Sequence, residues 1–174
     1  VTSNLLTAFT LRDATLADLE TIDDIHVRSR RATYRGQVSD HYLDVAMPAA
    51  SRADWAARLP ALLAGGGCVL LAESDGVAIG FACARPVDDD GVVYVNNLHA
   101  LPERKGLGIG SALLAAVARH ARASGASAMQ LHVLETNAPA IAFYERRGWR
   151  PVGREDHEWA GETVAALRYA IALI

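Results

Sequence analysis

Apolar and polar positions change period several times along the chain, and each change marks an element. Residues Thr7 to Arg12 alternate, which predicts a first strand, and Asp13-Ala14-Thr15 then supply turn and cap chemistry. Leu19, Ile22, Ile25 and His26 recur at helical spacing and predict a helix over about Leu16 to Arg30. The next segment, RRATYRGQVSDHYLDV, is broken by Gly36 and Ser39-Asp40 and reads as a helix end, a loop and a short second helix. Pro48 and Pro60 bracket a third helical stretch containing Trp55 and Leu59, and Gly65-Gly66-Gly67 closes it. Two apolar runs, Cys68 to Glu73 and Val77 to Arg85, flank Ser74-Asp75-Gly76, the pattern of a β-hairpin. Asp88-Asp89-Asp90-Gly91 turns the chain into Val92 to Leu98, so three antiparallel strands are expected in succession.

Further on, Ile109, Ala112, Leu113, Ala116, Val117 and Ala121 form one apolar helix face that ends near Ser124-Gly125. Met129 to Glu135 reads as a strand. Asn137 is placed to cap a helix with Pro139 in its first turn, running to Arg147 and stopped by Gly148. Arg150 to Ile174 reads as two strands around a polar link, Asp156 to Glu162. No internal repeat or linker interrupts the pattern, so residues 1–174 are expected to form one domain.

The net charge of −3 argues against a broad nucleic-acid footprint and mildly favours a cationic acceptor over an anionic one. No apolar run approaches the ~20 residues of a membrane span, and VTSNLLTAFTLRD lacks the basic start and long apolar core of a signal peptide. A cytoplasmic protein with no membrane partner is the expectation. Cys68 and Cys83 lie in apolar runs without ligand spacing and are expected as buried, reduced thiols. Asp88, Asp89 and Asp90 are consecutive and cannot all converge on one ion, so no metal is expected.

The most distinctive stretch is LHALPERKGLGIGS, Leu98 to Ser111. Gly106, Gly108 and Gly110 stand between a strand-like and a helix-like run, where bare N–H groups can converge on a phosphate; a tight strand-to-helix turn is the plainer reading. The spacing fails GxxxxGK[ST], which removes a Walker A loop, and it fails GxGxxG/A. A dehydrogenase survives only as a distant alternative, with Glu135 as its ribose-binding acid, and the antiparallel run opposes it. Asn137 and Tyr144 lie seven residues apart, about two helical turns or 10.5 Å along one face. A long ligand with pyrophosphate at one end and a reactive terminus at the other, such as coenzyme A, matches that layout.

With these residues in place, the sequence resembles the GNAT superfamily of acyl-CoA-dependent N-acyltransferases over essentially its whole length. NNLHALPERKGLGIGSALL matches the family's Q/R-x-x-G-x-G/A loop and following helix, and LHVLETNAPAIAFYERRGWRPVG matches its fifth strand and Asn/Tyr helix. The resemblance implies an α/β (α+β) fold: a mixed, mostly antiparallel sheet of six to seven strands, splayed between strands 4 and 5 and flanked by about four helices. It implies acetyl-CoA as acyl donor. The backbone of Leu98, His99 and Ala100 would pair with the pantetheine arm. Lys105 and the N–H groups of Gly106, Leu107, Gly108, Ile109, Gly110 and Ser111 would hold the pyrophosphate. Asn137 would contact the pantetheine, and Tyr144 would sit by the thioester sulfur and protonate the leaving thiolate. Lys105 departs from the family's Arg or Gln, replacing a planar fork by a point charge.

The segment HVRSRRATYRGQVSDHYL resembles the variable acceptor-side helices of the family, which makes Tyr34 a candidate substrate contact beside Asn96 and Asn97. The expected acceptor is a small-molecule or peptide amine, and a homodimer is allowed for. Many members carry a glutamate base at about the position of Tyr94, and none is present here. Asn96, Asn97, His99, His132 and Glu135, with a water chain, are the remaining options, and His99 reads more readily as a half-buried structural residue. The missing glutamate keeps open a CoA-binding module without catalysis, which Tyr144 opposes.

Overall fold

A computed structural model describes residues 9–173, folded around one seven-stranded sheet of order β1-β2-β3-β4-β5-β7-β6. The strands are β1 (Thr10–Asp13), β2 (Cys68–Ser74), β3 (Val77–Ala84), β4 (Val92–Ala100), β5 (Ala128–Leu134), β6 (Arg150–Trp159) and β7 (Glu162–Ala172). The helices are α1 (Leu19–Tyr34), α2 (Met47–Ala64), α3 (Ile109–Ala123) and α4 (Ala138–Glu145). Every neighbouring pair is antiparallel except β4 with β5. The first two residues of the expected strand, Thr7 and Ala8, lie outside the described residues. No helix among the described residues is long and apolar enough to cross a membrane.

Two expectations, one helical and one of a strand link, are corrected. The second and third helical stretches are continuous: a π-turn at Tyr42–Ala46 leads directly into α2, which passes through both Pro48 and Pro60. Pro48 sits in the first turn, where no N–H is needed, and Pro60 lies within the last few residues. The buried stripe Ser51, Trp55, Leu59 and Leu62 carries the helix past Pro60. The polar link expected over Asp156 to Glu162 shrinks to a two-residue turn, Ala160-Gly161, with both residues at positive φ (56° and 79°). Pairing of β6 with β7 continues right up to it, through Trp159↔Glu162.

Helices cover both faces of the sheet. Phe81 of β3 packs edge-on against Trp55 of α2 and His26 of α1. At its neighbour Gly80, an added Cβ would meet Ile109 of α3 at 2.8 Å. Successive strand residues point to opposite faces, so α1 and α2 lie on one side and α3 on the other. Both cysteines are buried and free, and burial raises their thiols to about 12 for Cys68 and about 11 for Cys83.

A polar insert lies between α1, α2 and the sheet. Trp55 Nε1 donates to His26 Nδ1 at 3.1 Å, Ser51 Oγ sits 3.1 Å from the same nitrogen, and Ser51 donates to Asp23 at 2.6 Å. Indole nitrogen can only donate, so His26 Nδ1 is unprotonated and the ring proton is on Nε2. The His99 ring stacks on Phe81 and lies 4.9 Å from His26, with its Nδ1 3.0 Å from Ser29 Oγ. Burial is the main cause holding both imidazoles neutral, His26 down to about 2 and His99 down to about 3, and neighbouring Arg30 and Arg58 push both the same way.

Unfolding releases both rings to their ordinary value of 6.5, so the unfolded chain binds protons that the fold refuses. Stability is complete above about pH 6.5 and is lost as pH falls toward the folded values, by up to about 1.4 kcal/mol per pH unit for each histidine. Thermal melts from pH 8 to pH 4 are expected to hold steady down to about pH 6.5 and then drop. His26→Gln is expected to shallow the drop, and an unchanged slope would show that His26 is not buried neutral.

Candidate active site

The site begins where the sheet comes apart. The pairing of β4 with β5 covers only Val92↔Ala128, Val93↔Met129 and Tyr94↔Gln130. Beyond Tyr94 each strand keeps its outer partner, β3 or β7, but not the other. A bulge opposite Cys83/Ala84, where Val95 and Asn97 pair with adjacent residues and Asn96 is extra, bends β4 at this point. Leu101 donates back to Ile79 of β3 at 2.9 Å, so alternation turns the N–H groups of Leu98 and Ala100 toward the gap. A cleft of about 720 Å³ follows that free edge from the glycine loop to Tyr144.

At the loop end, Gly106 and Gly108 adopt φ of 84° and 82°, the left-handed region that glycine occupies without a Cβ penalty. Gly108 caps α3, so the first N–H groups of that helix and its positive dipole end point into the cleft. Gly110 faces Phe143 of α4, which an added Cβ would meet at 3.4 Å. Lys105, Gly106, Gly108, Ile109, Gly110 and Ser111 all line the cleft. Leu107, expected among them, points outward and is 44% exposed.

Three cations that sequence reasoning passed over, Arg104, Arg146 and Arg147, join Lys105 on this rim. The Arg147 guanidinium stacks on Phe143 at 3.6 Å, bonds the Phe143 carbonyl at 2.8 Å and bonds Ser111 Oγ. Its burial lowers its pKa, with Arg146 next in effect. The signal was present in the run Glu145-Arg146-Arg147-Gly148, which also reads as ordinary cations at a helix C-terminus.

Asn137 is the expected N-cap: its side chain accepts from Ala140 N at 3.3 Å, and its amide nitrogen lies 3.5 Å from the Tyr34 hydroxyl. α4 ends two residues earlier than expected, at Glu145. Tyr144 is 9% exposed, and among the described residues its hydroxyl has no hydrogen-bond partner. Burial, followed by the neighbouring phenols Tyr34 and Tyr94, raises it well above its ordinary 10, so it stays protonated at any physiological pH.

Arg30, Tyr34, Leu98, His99, Asn137 and Tyr144 border this cleft and also a second cavity of about 500 Å³ on its other side. Asn96, Asn97 and Tyr94 line that second cavity. The Tyr94 hydroxyl is 2.6 Å from His132 Nδ1, and the other His132 nitrogen is 3.3 Å from Glu155. His132, Glu155 and His157 bring three potential ligand atoms within 4.8 Å of one another, but Arg168 lies 3.6 Å from Glu155 and competes for the carboxylate. Arg30 stacks on Trp159 at 4.9 Å, and burial lowers its pKa. Arg58 stacks on Trp55 at 4.1 Å and pairs with Asp54 at 3.1 Å. Glu135, an option for the base, instead pairs with Arg154 at 3.2 Å and lines neither cavity.

Residues 24–149 match the description "Acetyltransferase (GNAT) family". The chain is 32% identical over 155 residues to the uncharacterized N-acetyltransferase YuaI of Bacillus subtilis, across 87% of this chain and 86% of that protein. PaiA N-acetyltransferase from Thermoplasma acidophilum, solved in complex with coenzyme A, has a similar fold at 21% identity and TM-score 0.75, covering 92% of this chain and 98% of that one. So does yncA from Salmonella typhimurium, solved with acetyl-CoA, at 23% identity and TM-score 0.70, covering 96% and 95%. The sheet split after Tyr94 and the family match lead to one assignment: this chain belongs to the GNAT family of acetyltransferases.

Proposed function

We propose that the chain moves an acetyl group from acetyl-CoA to a primary amine by direct transfer, with both substrates bound at once. The observation that carries this reading is Tyr144, a protonated and unbonded phenol where the two cavities meet. The loop N–H groups and the cations Arg104, Lys105, Arg146 and Arg147 suit the phosphates of CoA, which offsets the loss of a planar fork at Lys105. The free edge of β4 offers the N–H groups of Leu98 and Ala100 to the amides of the pantetheine arm and to the thioester carbonyl.

In the transfer, the amine lone pair forms a C–N bond to the thioester carbon and the C–S bond breaks. Sulfur takes the Tyr144 hydroxyl proton, and the phenolate regains one as the new amide nitrogen loses its own. The buried cysteines are too weakly acidic to serve as acyl carriers.

His99, an option for the base, is too weak a base once its pKa is down near 3. Of the other options for the base, His132, 2.6 Å from the Tyr94 hydroxyl, lines the acceptor cavity. Arg30, Lys105 and Arg58 help depress His99, and the same positive field favours a neutral amine over an ammonium ion.

Replacing Tyr144 by Phe is expected to lower kcat by about 100-fold or more, the usual effect of losing a general acid. The thermal shift given by CoA should be retained. Stopped-flow thiol release with a competent amine checks the first and a melt with CoA the second; unchanged kcat would remove Tyr144 from the acid role.

A further inference from the structure

We infer that the acceptor is a small amine bearing a carboxylate on the carbon next to its amine, an α-amino acid, and that Arg30 binds that carboxylate. The inference rests on the acetyl-transfer reading and deepens it.

Arg30 differs from the other arginines of α1. Arg28 pairs with Asp24 and Glu103, and Arg31 pairs with Asp44, all on the exposed side. Just beyond the helix, Arg35 pairs with Asp40 and Asp44. Arg30 is turned inward, and among the described residues no carboxylate pairs with it. Its neighbours are the rings of Trp159, Tyr34 and Tyr42, and the charges of Arg58 and Asp54 reach it without a direct ion pair. A cation withdrawn from water without a directly paired carboxylate is costly, so a fold keeps one where a ligand supplies the missing charge.

The surrounding wall also holds unpaired polar atoms of both kinds. Trp159 Nε1 and Arg58 Nε are buried with no hydrogen-bond partner. The side chains of Asn96 and Asn97 have the opposite deficit, each with a buried carbonyl oxygen lacking a donor. Asp54 and Glu158 line this cavity with Arg30, so its wall offers carboxylates to an amine as well as a guanidinium to an anion.

Position sets how far apart those groups can be. Arg30 and Tyr144 both belong to the wall that the two cavities share, so one small ligand can present an anion to the guanidinium and its amine to the transfer point. The planar fork of arginine takes a carboxylate through two parallel bonds. A protein N-terminus or lysine has no carboxylate next to its amine and would leave Arg30 unpaired. The preference for a cationic acceptor suggested by the overall charge of −3 is thus reversed locally.

The test compares free L-amino acids with their carboxamides and with the corresponding decarboxylated amines, using acetyl-CoA and following thiol release. The free acids are expected to exceed their partners about 10- to 100-fold in kcat/KM, the range of a hydrogen-bonded charge pair. In Arg30→Gln the acid-to-amide ratio should fall toward one, and Arg30→Lys should lie between. The comparison within the unaltered protein stands even if Arg30→Gln fails to fold. Equal turnover of acids and amides, or an unchanged ratio in a folded Arg30→Gln, overturns the inference and leaves acetyl transfer standing. No thiol release from any member while CoA still raises the melting temperature overturns the transfer reading and the inference with it.

Discussion

Three residue pairs hold β4 to β5, and then the ladder stops. Everything else at the site depends on that interruption. An unpaired strand edge inside a sheet exposes N–H and C=O groups that must find partners, and it is tolerated only where something other than the next strand supplies them. The bulge at Asn96 turns β4 away while β3 holds its outer side, and β7 holds β5 along its whole length. The gap is therefore fixed by well-paired strands on both flanks and does not depend on a flexible segment.

Around this gap the cations fall into two groups. Arg104, Lys105, Arg146 and Arg147 gather at the glycine loop, where α3 presents its N-terminus. Arg30 and Arg58 are set among aromatic rings in the second cavity. Their combined field, added to burial, keeps His26 and His99 neutral. The protein's net negative charge says nothing about this, because the acids lie mainly on the surface in pairs with other arginines.

Much of the fold was legible in the sequence because its signals are local. The Asp75-Gly76 hairpin, the apolar face of α3 and the Asn137 cap each follow from short-range chemistry, and each is present. The fusion of two predicted helices through Pro48 and Pro60 was not legible, because tertiary burial of Trp55, Leu59 and Leu62 decides it. The link before β7 looks long in the sequence because polar residues on an edge hairpin resemble a loop until their pairing is known. At the site, the glycine loop, Asn137 and Tyr144 stood out by spacing and by family resemblance. Arg30, Arg147 and the Tyr94–His132 pair did not. Their significance comes from what they lack or meet across 36 to 38 residues or more of intervening chain, which no local pattern encodes.

The most direct measurement is amide hydrogen exchange along β4, with and without acetyl-CoA. If the ligand completes the open edge, exchange at Leu98 and Ala100 slows strongly on binding, while their neighbours, already bonded to β3, change little. Saturation with acetyl-CoA that leaves Leu98 and Ala100 exchanging as before would contradict the account.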